Sequence, residues 1–130
     1  MTHYYLVDTS AQYKKAHAFL RDRREDVDRL CFPTIIAERD EEVIGIISRR
    51  DEKFGIVAGP MVVAVDRPQF VLLKLADMFE KVLKTLGITT YMFAVDSLHE
   101  QWVDIINKTG MAELIDDKQD RYLWFKRTIA

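Results

Sequence analysis

Apolar residues recur along the chain with two periods, and the changes of period divide it into ten elements. The first, His3 to Val7, is a short aromatic and aliphatic run typical of a strand, and Thr9 or Ser10 after it is a candidate helix cap. A helical spacing of three, four or seven residues then joins Tyr13, Ala16, Leu20, Val27 and Leu30. This spacing predicts one long helix, or two shorter ones, stopped by Pro33.

A three-stranded meander is predicted after this proline. Thr34 to Arg39 and Glu42 to Ser48 are β-branched runs separated by a short polar turn, which predicts a hairpin. Arg49 to Lys53 is a second polar turn, and Phe54 to Val65 is the third strand. Gly59-Pro60 inside that strand predicts a bulge or a break in pairing, because proline has no amide hydrogen to donate to a neighbouring strand.

The second helix has the widest apolar stripe of the chain. Asp66 is its candidate cap, and Pro68 is compatible with a first turn. The stripe consists of Val71, Leu72, Leu75, Met78, Phe79, Val82, Leu83 and Leu86. Gly87 predicts the end of this helix. The almost continuously apolar run from Ile88 to Val95 then predicts a strand covered on both faces.

A third, shorter helix follows this strand. Ser97 is its candidate cap, with Glu100 as the capping-box partner. Trp102 and Ile106 are expected to face the sheet, and Gly110 is expected to end the helix in a left-handed conformation.

The chain closes with a predicted hairpin, and the complete order then defines a fold class. Ala112 to Ile115 and Arg121 to Arg127 are its strands, separated by a polar turn over 116–120. A long helix between two strands requires a crossover connection, so the strands that contain Val62 to Val65 and Ile88 to Val95 are predicted to be parallel neighbours that splay at their carboxyl ends. The remaining pairs are antiparallel. We therefore predict an α/β fold: a three-layer mixed sheet in the order strand, helix, three strands, helix, strand, helix, two strands.

Composition favours an ordinary soluble domain. Hydrophobic residues make up 48% of the 130 residues and charged residues 31%, so residues 1–130 are expected to form one domain. The formal net charge of −2 disfavours nucleic-acid binding through bulk charge. The basic residues Arg49, Arg50 and Lys53 are interrupted by acidic ones, which disfavours a nucleic-acid site there as well.

Cysteine and histidine usage narrows the chemistry further. Cys31 is the one cysteine, is expected to be a small buried residue, and indicates a reducing compartment. No spacing of cysteine and histidine is typical of a zinc site, so no metal is expected. No apolar run approaches the roughly 20 residues that cross a bilayer. We expect a cytoplasmic protein without a membrane partner.

The order and lengths of these elements resemble the GNAT superfamily of acyl-CoA-dependent N-acetyltransferases. The most similar segment runs from Val62 to Met111, with a hydrophobic strand, a long helix ending in Leu86-Gly87, the next strand, and a helix ending in Asn107 to Met111. The chain is also similar to the small GNAT-like proteins of short-tailed bacteriophages. The resemblance implies transfer of an acetyl group from acetyl-CoA to an amine.

The segment that corresponds to the family's CoA loop departs from the family pattern. The family cradles the CoA pyrophosphate on the amides of a Gln/Arg-x-x-Gly-x-Gly/Ala loop at a helix start. Residues 65–71 here contain no glycine, Pro68 removes one amide donor, and Asp66 adds a negative charge. We therefore expect weak or absent binding of acetyl-CoA. By the resemblance, the cofactor-binding residues are Val63, Ala64, Val65, Arg67, Gln69 and Phe70.

Both usual catalytic positions of the family are also changed. The tyrosine that protonates the leaving thiolate corresponds to Ile106, and no acidic residue lies between Ile56 and Val65, where the family often has a glutamate base. Ser97, His99 and Glu38 are the substitute candidates. Each has a plain alternative, since Ser97 suits a helix cap, His99 a solvated first turn and Glu38 a strand-edge charge.

Three functions remain open at this point. One is an N-acetyltransferase with a degenerate CoA loop that acts on an unknown amine. Another is a catalytically silent GNAT-fold phage protein that binds another protein, as a virion component or a modulator of a host enzyme, in the host cytoplasm or the virion. The third is a sensor of CoA or another small molecule that binds without turnover. The aromatic residues Tyr122, Trp124 and Phe125 are candidates for a dimer face.

Overall fold

The computed structural model describes residues 1–25, 30–119 and 121–129, and its elements follow the predicted order. The strands are β1 (Thr2–Leu6), β2 (Cys31–Arg39), β3 (Glu42–Glu52), β4 (Gly55–Val63), β5 (Thr90–Asp96), β6 (Glu113–Gln119) and β7 (Tyr122–Thr128). The helices are α1 (Ser10–Asp22), α2 (Pro68–Thr85) and α3 (Glu100–Thr109). The fold class is thus confirmed as mixed α/β.

All strands join one sheet in the order β1-β2-β3-β4-β5-β7-β6. Among the described strands, β4 and β5 are the one parallel pair, and α2 is the crossover between them. The prediction of parallel central neighbours is confirmed. A helical crossover carries the chain back to the end of the sheet at which β4 began, so the next strand runs in the same direction.

Helices cover both faces of the sheet, so the three layers are confirmed. On one face α1 buries Phe19 and Leu20 against Ile36 and Ile46. On the other face the core joins α2 and α3 to the sheet through Leu75, Phe79, Ile106, Ile35 and Ile47. Successive strand residues such as Ile35 and Ile36 therefore enter different cores, as the alternation of side chains along a strand requires. No helix in the described ranges is long and apolar enough to cross a bilayer.

The first helix begins as predicted and ends earlier. The Thr9 side chain caps α1 and accepts the amide hydrogen of Gln12, whose own side chain returns to the cap. The helix ends at Asp22 because Arg24 takes a left-handed conformation (φ 58°). The prediction of one long helix is wrong, since Leu30 lies outside any helix and Pro33 lies within β2. Val27 lies outside the described residues.

Three details of the strands differ from the sequence prediction. The segment Arg49 to Lys53 is not a turn, because β3 continues to Glu52. The polar segment 116–120 is shorter as a turn, because β6 continues to Gln119, and Asp120 lies outside the described residues. Cys31 is partly exposed rather than buried. The expected irregularity at Gly59-Pro60 is confirmed by a register shift between β3 and β4 at that place.

Candidate functional site

The parallel strands β4 and β5 part beyond their shared register. Among the described residues, Val57 and Met92 are the one matched pair between these strands. The Gly59-Pro60 irregularity lies directly after this pair on β4. The described residues of β4 and β5 that follow this pair are not matched to one another, which agrees with the predicted splaying of the two strands toward their carboxyl ends.

Near the end of β4, every second residue directs its backbone N–H and C=O groups toward the space between β4 and β5. The Ala64 amide donates to the Ile44 carbonyl on the β3 side, over 2.8 Å. Consecutive residues of an extended chain direct their N–H and C=O groups to opposite sides, so those of Val63 point toward β5. The Ala64 amide is therefore occupied within the sheet, whereas the backbone groups of Val63 face the β5 side.

The start of α2 is free of any side-chain cap. Its N-cap is Arg67 in a left-handed conformation (φ 55°, ψ 60°), followed by Pro68 as the first helical residue. Asp66 is exposed and does not cap the helix, so that prediction is wrong. The amides of Gln69 and Phe70 belong to the first turn and have no partner within the helix. This end of the helix therefore presents two donors and the Arg67 guanidinium to solvent.

A groove of about 270 Å³ lies between the first turns of α2 and α3. We call it the helix groove, and its lining consists of Pro68, Gln69, Gln101, Trp102 and Ile105. Trp102 packs against the core and Ile106 is only 4% exposed within it, as predicted. Ile106 is therefore enclosed in the core, and its aliphatic side chain presents no proton to this groove.

A second groove, of about 310 Å³, lies where the sheet parts. We call it the sheet groove, and its lining consists of Arg50, Val57, Ala58, Gly59, Met61, Ala94, Tyr122 and Trp124. It exists because β5 is covered by helices on one face only: Tyr91, Phe93 and Val95 are buried, and Ala94 between them lines the groove. The prediction of coverage on both faces is wrong.

The polar side chains that line the sheet groove are Arg50, Trp124 and Tyr122; the first two donate hydrogen bonds, and the tyrosine hydroxyl both donates and accepts. The Arg50 Nε lies 2.7 Å from the Glu52 carboxylate, and Arg50 Nη1 lies 3.7 Å from the place of a Cβ at Gly59. The Trp124 ring contacts the Phe54 ring edge-on at 5.6 Å. Tyr122, which is 43% exposed, lies opposite Asp96 in the β5–β7 pair.

These groove residues were missed by sequence reasoning. Arg50 was part of a supposed hairpin tip, and the terminal aromatics were candidates for a dimer face. Phe125 in fact stacks on Phe93 in the core, with ring centres 5.6 Å apart. The sequence signal that could have identified them is the alternation of side chains along a strand. It places Tyr122 and Trp124 on the opposite face from Phe125, and Arg50 on the opposite face from Arg49.

Ser97 and His99 lie in the turn after β5. The Asp96 carboxylate accepts the Leu98 amide hydrogen at 3.0 Å and pairs with Arg121 at 3.1 Å. The Ser97 amide donates to the Arg121 carbonyl at 2.7 Å. The N-cap of α3 is His99 without a side-chain hydrogen bond, so the predicted Ser97 cap is wrong. Both candidate side chains are exposed at the carboxyl end of β5.

Glu38 lies elsewhere. It belongs to β2, which β3 and β4 separate from β5. The Tyr5 hydroxyl donates to its carboxylate at 2.7 Å, and Lys15 of α1 lies 3.5 Å away. Burial, followed by the hydrogen bond to Glu38, raises the pKa of Tyr5 above its usual value. The structure therefore does not bring Glu38 together with Ser97 and His99.

Within the described residues no three His, Cys, Asp or Glu side chains could hold a metal ion.

Comparison with known proteins gives similarity at the level of structure. No protein-family profile matches the chain, and no curated protein matches its sequence. A probable acetyltransferase from Staphylococcus epidermidis is similar with a TM-score of 0.72 at 12% identity, covering 100% of both chains. An aminoglycoside 6′-acetyltransferase of type Ii has a TM-score of 0.72 at 16% identity, covering 98% of this chain and 97% of its own.

A third similar structure is a complex with coenzyme A. The PaiA N-acetyltransferase from Thermoplasma acidophilum, in complex with coenzyme A, has a TM-score of 0.63 at 13% identity, covering 91% of this chain and 71% of its own. Identities this low establish a shared fold. With its seven-stranded mixed sheet and parted central strands, the chain has the fold of the GNAT acetyltransferases.

Proposed function

We propose that this chain is an N-acyltransferase that binds acyl-CoA weakly and transfers the acyl group to an amine. The observation that supports this most is the parting of β4 and β5 within a GNAT fold, with one groove between the first turns of α2 and α3 and another where the sheet parts. The crevice at the carboxyl ends of parallel strands is the general ligand position of open α/β sheets. Two grooves there provide one place for a cofactor and another for an acceptor.

The residues at the start of α2 fit the pyrophosphate of CoA. Gln69 and Phe70 supply amide donors, and Arg67 supplies a cation at a helix N-terminus, where anions are stabilised. Bound acyl-CoA supplies an acyl group activated as a thioester.

Other residues of the chain suit the rest of the cofactor and the proton transfer. Val63 offers its backbone groups at the parted strands, and Trp102 and Ile105 form an apolar wall of the helix groove. Ser97 and His99 are the proposed proton-transfer residues. Both lie in the turn at the end of β5, and neither side chain caps α3. An imidazole and a hydroxyl are both able to donate a proton and to accept one.

Weak binding follows from two features of the same turn. Pro68 has no amide hydrogen, so the first turn lacks one donor that a glycine loop would supply. Asp66 is exposed beside the donors and repels an anion. We expect a dissociation constant for acetyl-CoA of about 100 μM or weaker.

The decisive experiment is calorimetric titration of acetyl-CoA into the wild type, Asp66→Asn and Arg67→Ala. Asp66→Asn should strengthen binding by removing repulsion, and Arg67→Ala should weaken it. Asp77→Asn is the matched control, since Asp77 lies exposed on the same helix, paired with Lys81, and should leave binding unchanged. Chromatographic detection of CoA released in the presence of amines then tests transfer.

Three results would contradict parts of this proposal. Micromolar or tighter binding would show that the proposed weakness of the loop is wrong. Absence of binding at millimolar acetyl-CoA would contradict the acyltransferase itself. Binding that neither variant alters would place the cofactor away from the start of α2.

A second candidate is a catalytically silent GNAT-fold protein that acts by binding another protein, as a virion component or a host-enzyme modulator. The position of Ile106 favours it, because a buried aliphatic side chain replaces the family's proton donor. This candidate predicts no acetyl-CoA binding and no CoA release with any amine, so the same titration separates the two.

A further inference from the structure

The sheet groove contains one cation with unused donors. Glu52 contacts the Arg50 guanidinium at Nε. The terminal nitrogens Nη1 and Nη2 remain, and no described residue forms a hydrogen bond with them. Nη1 lies over Gly59, where the missing side chain leaves room beside the guanidinium. A guanidinium held at one edge presents its remaining N–H groups in a planar fork, which matches the two oxygens of a carboxylate.

The carboxylates closest to the groove are already paired. Glu52 binds Arg50 itself, and Asp96 binds both Arg121 and the Leu98 amide. Neither carboxylate is among the lining residues. The lining therefore offers no unpaired anion to a ligand that carries only positive charges. It offers the terminal N–H groups of Arg50 to a ligand with a carboxylate.

Aromatic and apolar surfaces form the rest of the groove. Trp124 and Tyr122 line one side, and Phe54 holds the Trp124 ring by edge-on contact. Met61 and Ala94 line the parted strands themselves. Such walls gain free energy by covering an apolar or aromatic side chain.

We propose that the sheet groove binds the acceptor and selects a primary amine that also carries a carboxylate and an apolar or aromatic side chain, as an α-amino acid does. This inference rests on the proposed acyltransferase function, for which it names the acceptor class. Arg50 binds the carboxylate, Tyr122 and Trp124 cover the side chain, and the amine extends toward the parted ends of β4 and β5.

Matched ligand pairs test the carboxylate directly, without any cofactor. The probes are L-phenylalanine with 2-phenylethylamine, and L-leucine with isoamylamine, titrated by calorimetry into the full chain. Each pair differs by one carboxylate. The amino acid should bind about tenfold or more tightly than its partner amine, the effect of one charge-assisted, two-point contact. Spermidine, which has only positive charges, should bind more weakly than either amino acid.

Two arginine variants give the matched control. Arg50→Ala should remove most of the difference within each pair. Arg49→Ala should keep it, because Arg49 is the adjacent residue, points to the opposite face and pairs with Asp51 at 2.8 Å. Circular dichroism verifies that both variants are folded, and Arg50→Lys, which keeps the charge without the fork, should retain only part of the preference.

The failures of the two proposals are distinguishable. Four outcomes would each overturn this inference. They are equal binding of the two members of each pair, preference for spermidine, no binding of any probe, and an unchanged preference for the amino acid in Arg50→Ala. Acetyl transfer to amines without a carboxylate would overturn it while supporting the acyltransferase. Arg50-dependent binding of amino acids without any acetyl product would support the groove and contradict the proposed catalysis.

Discussion

Arg67 has a backbone conformation that glycine adopts more readily. Its φ of 55° and ψ of 60° are left-handed, and it immediately precedes the proline that starts α2. The turn before α2 therefore forms without any glycine, at the cost of unfavourable backbone geometry in a residue with a Cβ. The same residue supplies the one cation of this turn, so backbone and side chain contribute separately to the proposed CoA site.

Comparison of Arg67→Gly with Arg67→Ala separates these contributions. Both variants lack the guanidinium and should bind acetyl-CoA equally poorly. Arg67→Gly should be more stable than Arg67→Ala by about 1 kcal/mol, because only glycine adopts this conformation without a steric penalty. Urea denaturation measures the free energy of unfolding. Equal stability of the two variants would show that residue 67 is not left-handed in solution.

At the scale of elements, α3 has a specific stop residue at its carboxyl end and no side-chain cap at its amino end. It begins at Glu100 without a side-chain cap, whereas Gly110 ends it with φ 63° and donates its amide hydrogen to the Ile106 carbonyl at 3.0 Å. A Cβ at Gly110 would meet nothing within 4 Å. The requirement for glycine is therefore conformational and does not arise from neighbouring atoms.

Gly110→Val should lower the free energy of unfolding by more than about 1 kcal/mol, since a β-branched residue resists positive φ. Gly110→Asn should lower it less, because asparagine tolerates the left-handed region. Thermal and urea unfolding of the three proteins would measure both changes. A valine variant as stable as the wild type would mean that α3 ends at another residue.

At the scale of the whole molecule, a part-buried network connects α2 to the second half of the sheet. The Tyr91 hydroxyl donates to Glu80 at 2.6 Å, and Arg127 approaches the same oxygen at 3.1 Å. Arg127 also donates to the Met111 carbonyl at 2.9 Å. Burial, and then the hydrogen bond to Glu80, raises the pKa of Tyr91 well above its usual value. One network thus connects α2, β5, β7 and the segment before β6.

This raised pKa predicts a loss of stability in alkali. The unfolded chain ionises Tyr91 near pH 10, whereas the folded chain keeps the proton, so the contribution is complete below about pH 10 and declines as pH rises above it. Tyr91→Phe should cost about 1.5 kcal/mol at neutral pH, since it removes a hydrogen bond to a charged group. Its deficit relative to the wild type should shrink above about pH 10. A deficit in unfolding free energy that stays constant with pH would contradict this assignment.

The order of the elements was predictable because each depends on local periodicity. The stripe of α2 is visible in the sequence, and its buried members Val71, Leu75, Phe79 and Leu83 face the core. Boundaries were predicted where glycine marks them, as at Gly87 and Gly110. They were missed where a residue with a side chain takes the left-handed conformation, as Arg24 does after α1, because propensity assigns that conformation to glycine.

The sequence by itself determined the alternation of strands and helices, the parallel central pair and the unusual residues of the turn before α2. The grooves were decided by tertiary structure, since Arg50, Gly59, Ala94 and Trp124 come together only through strand register and the parting of β4 from β5. The distance of Glu38 from Ser97 was decided in the same way, by the order of strands in the sheet. Periodicity depends on neighbours along the chain, whereas a site depends on residues that are distant in sequence and meet only after the sheet has formed.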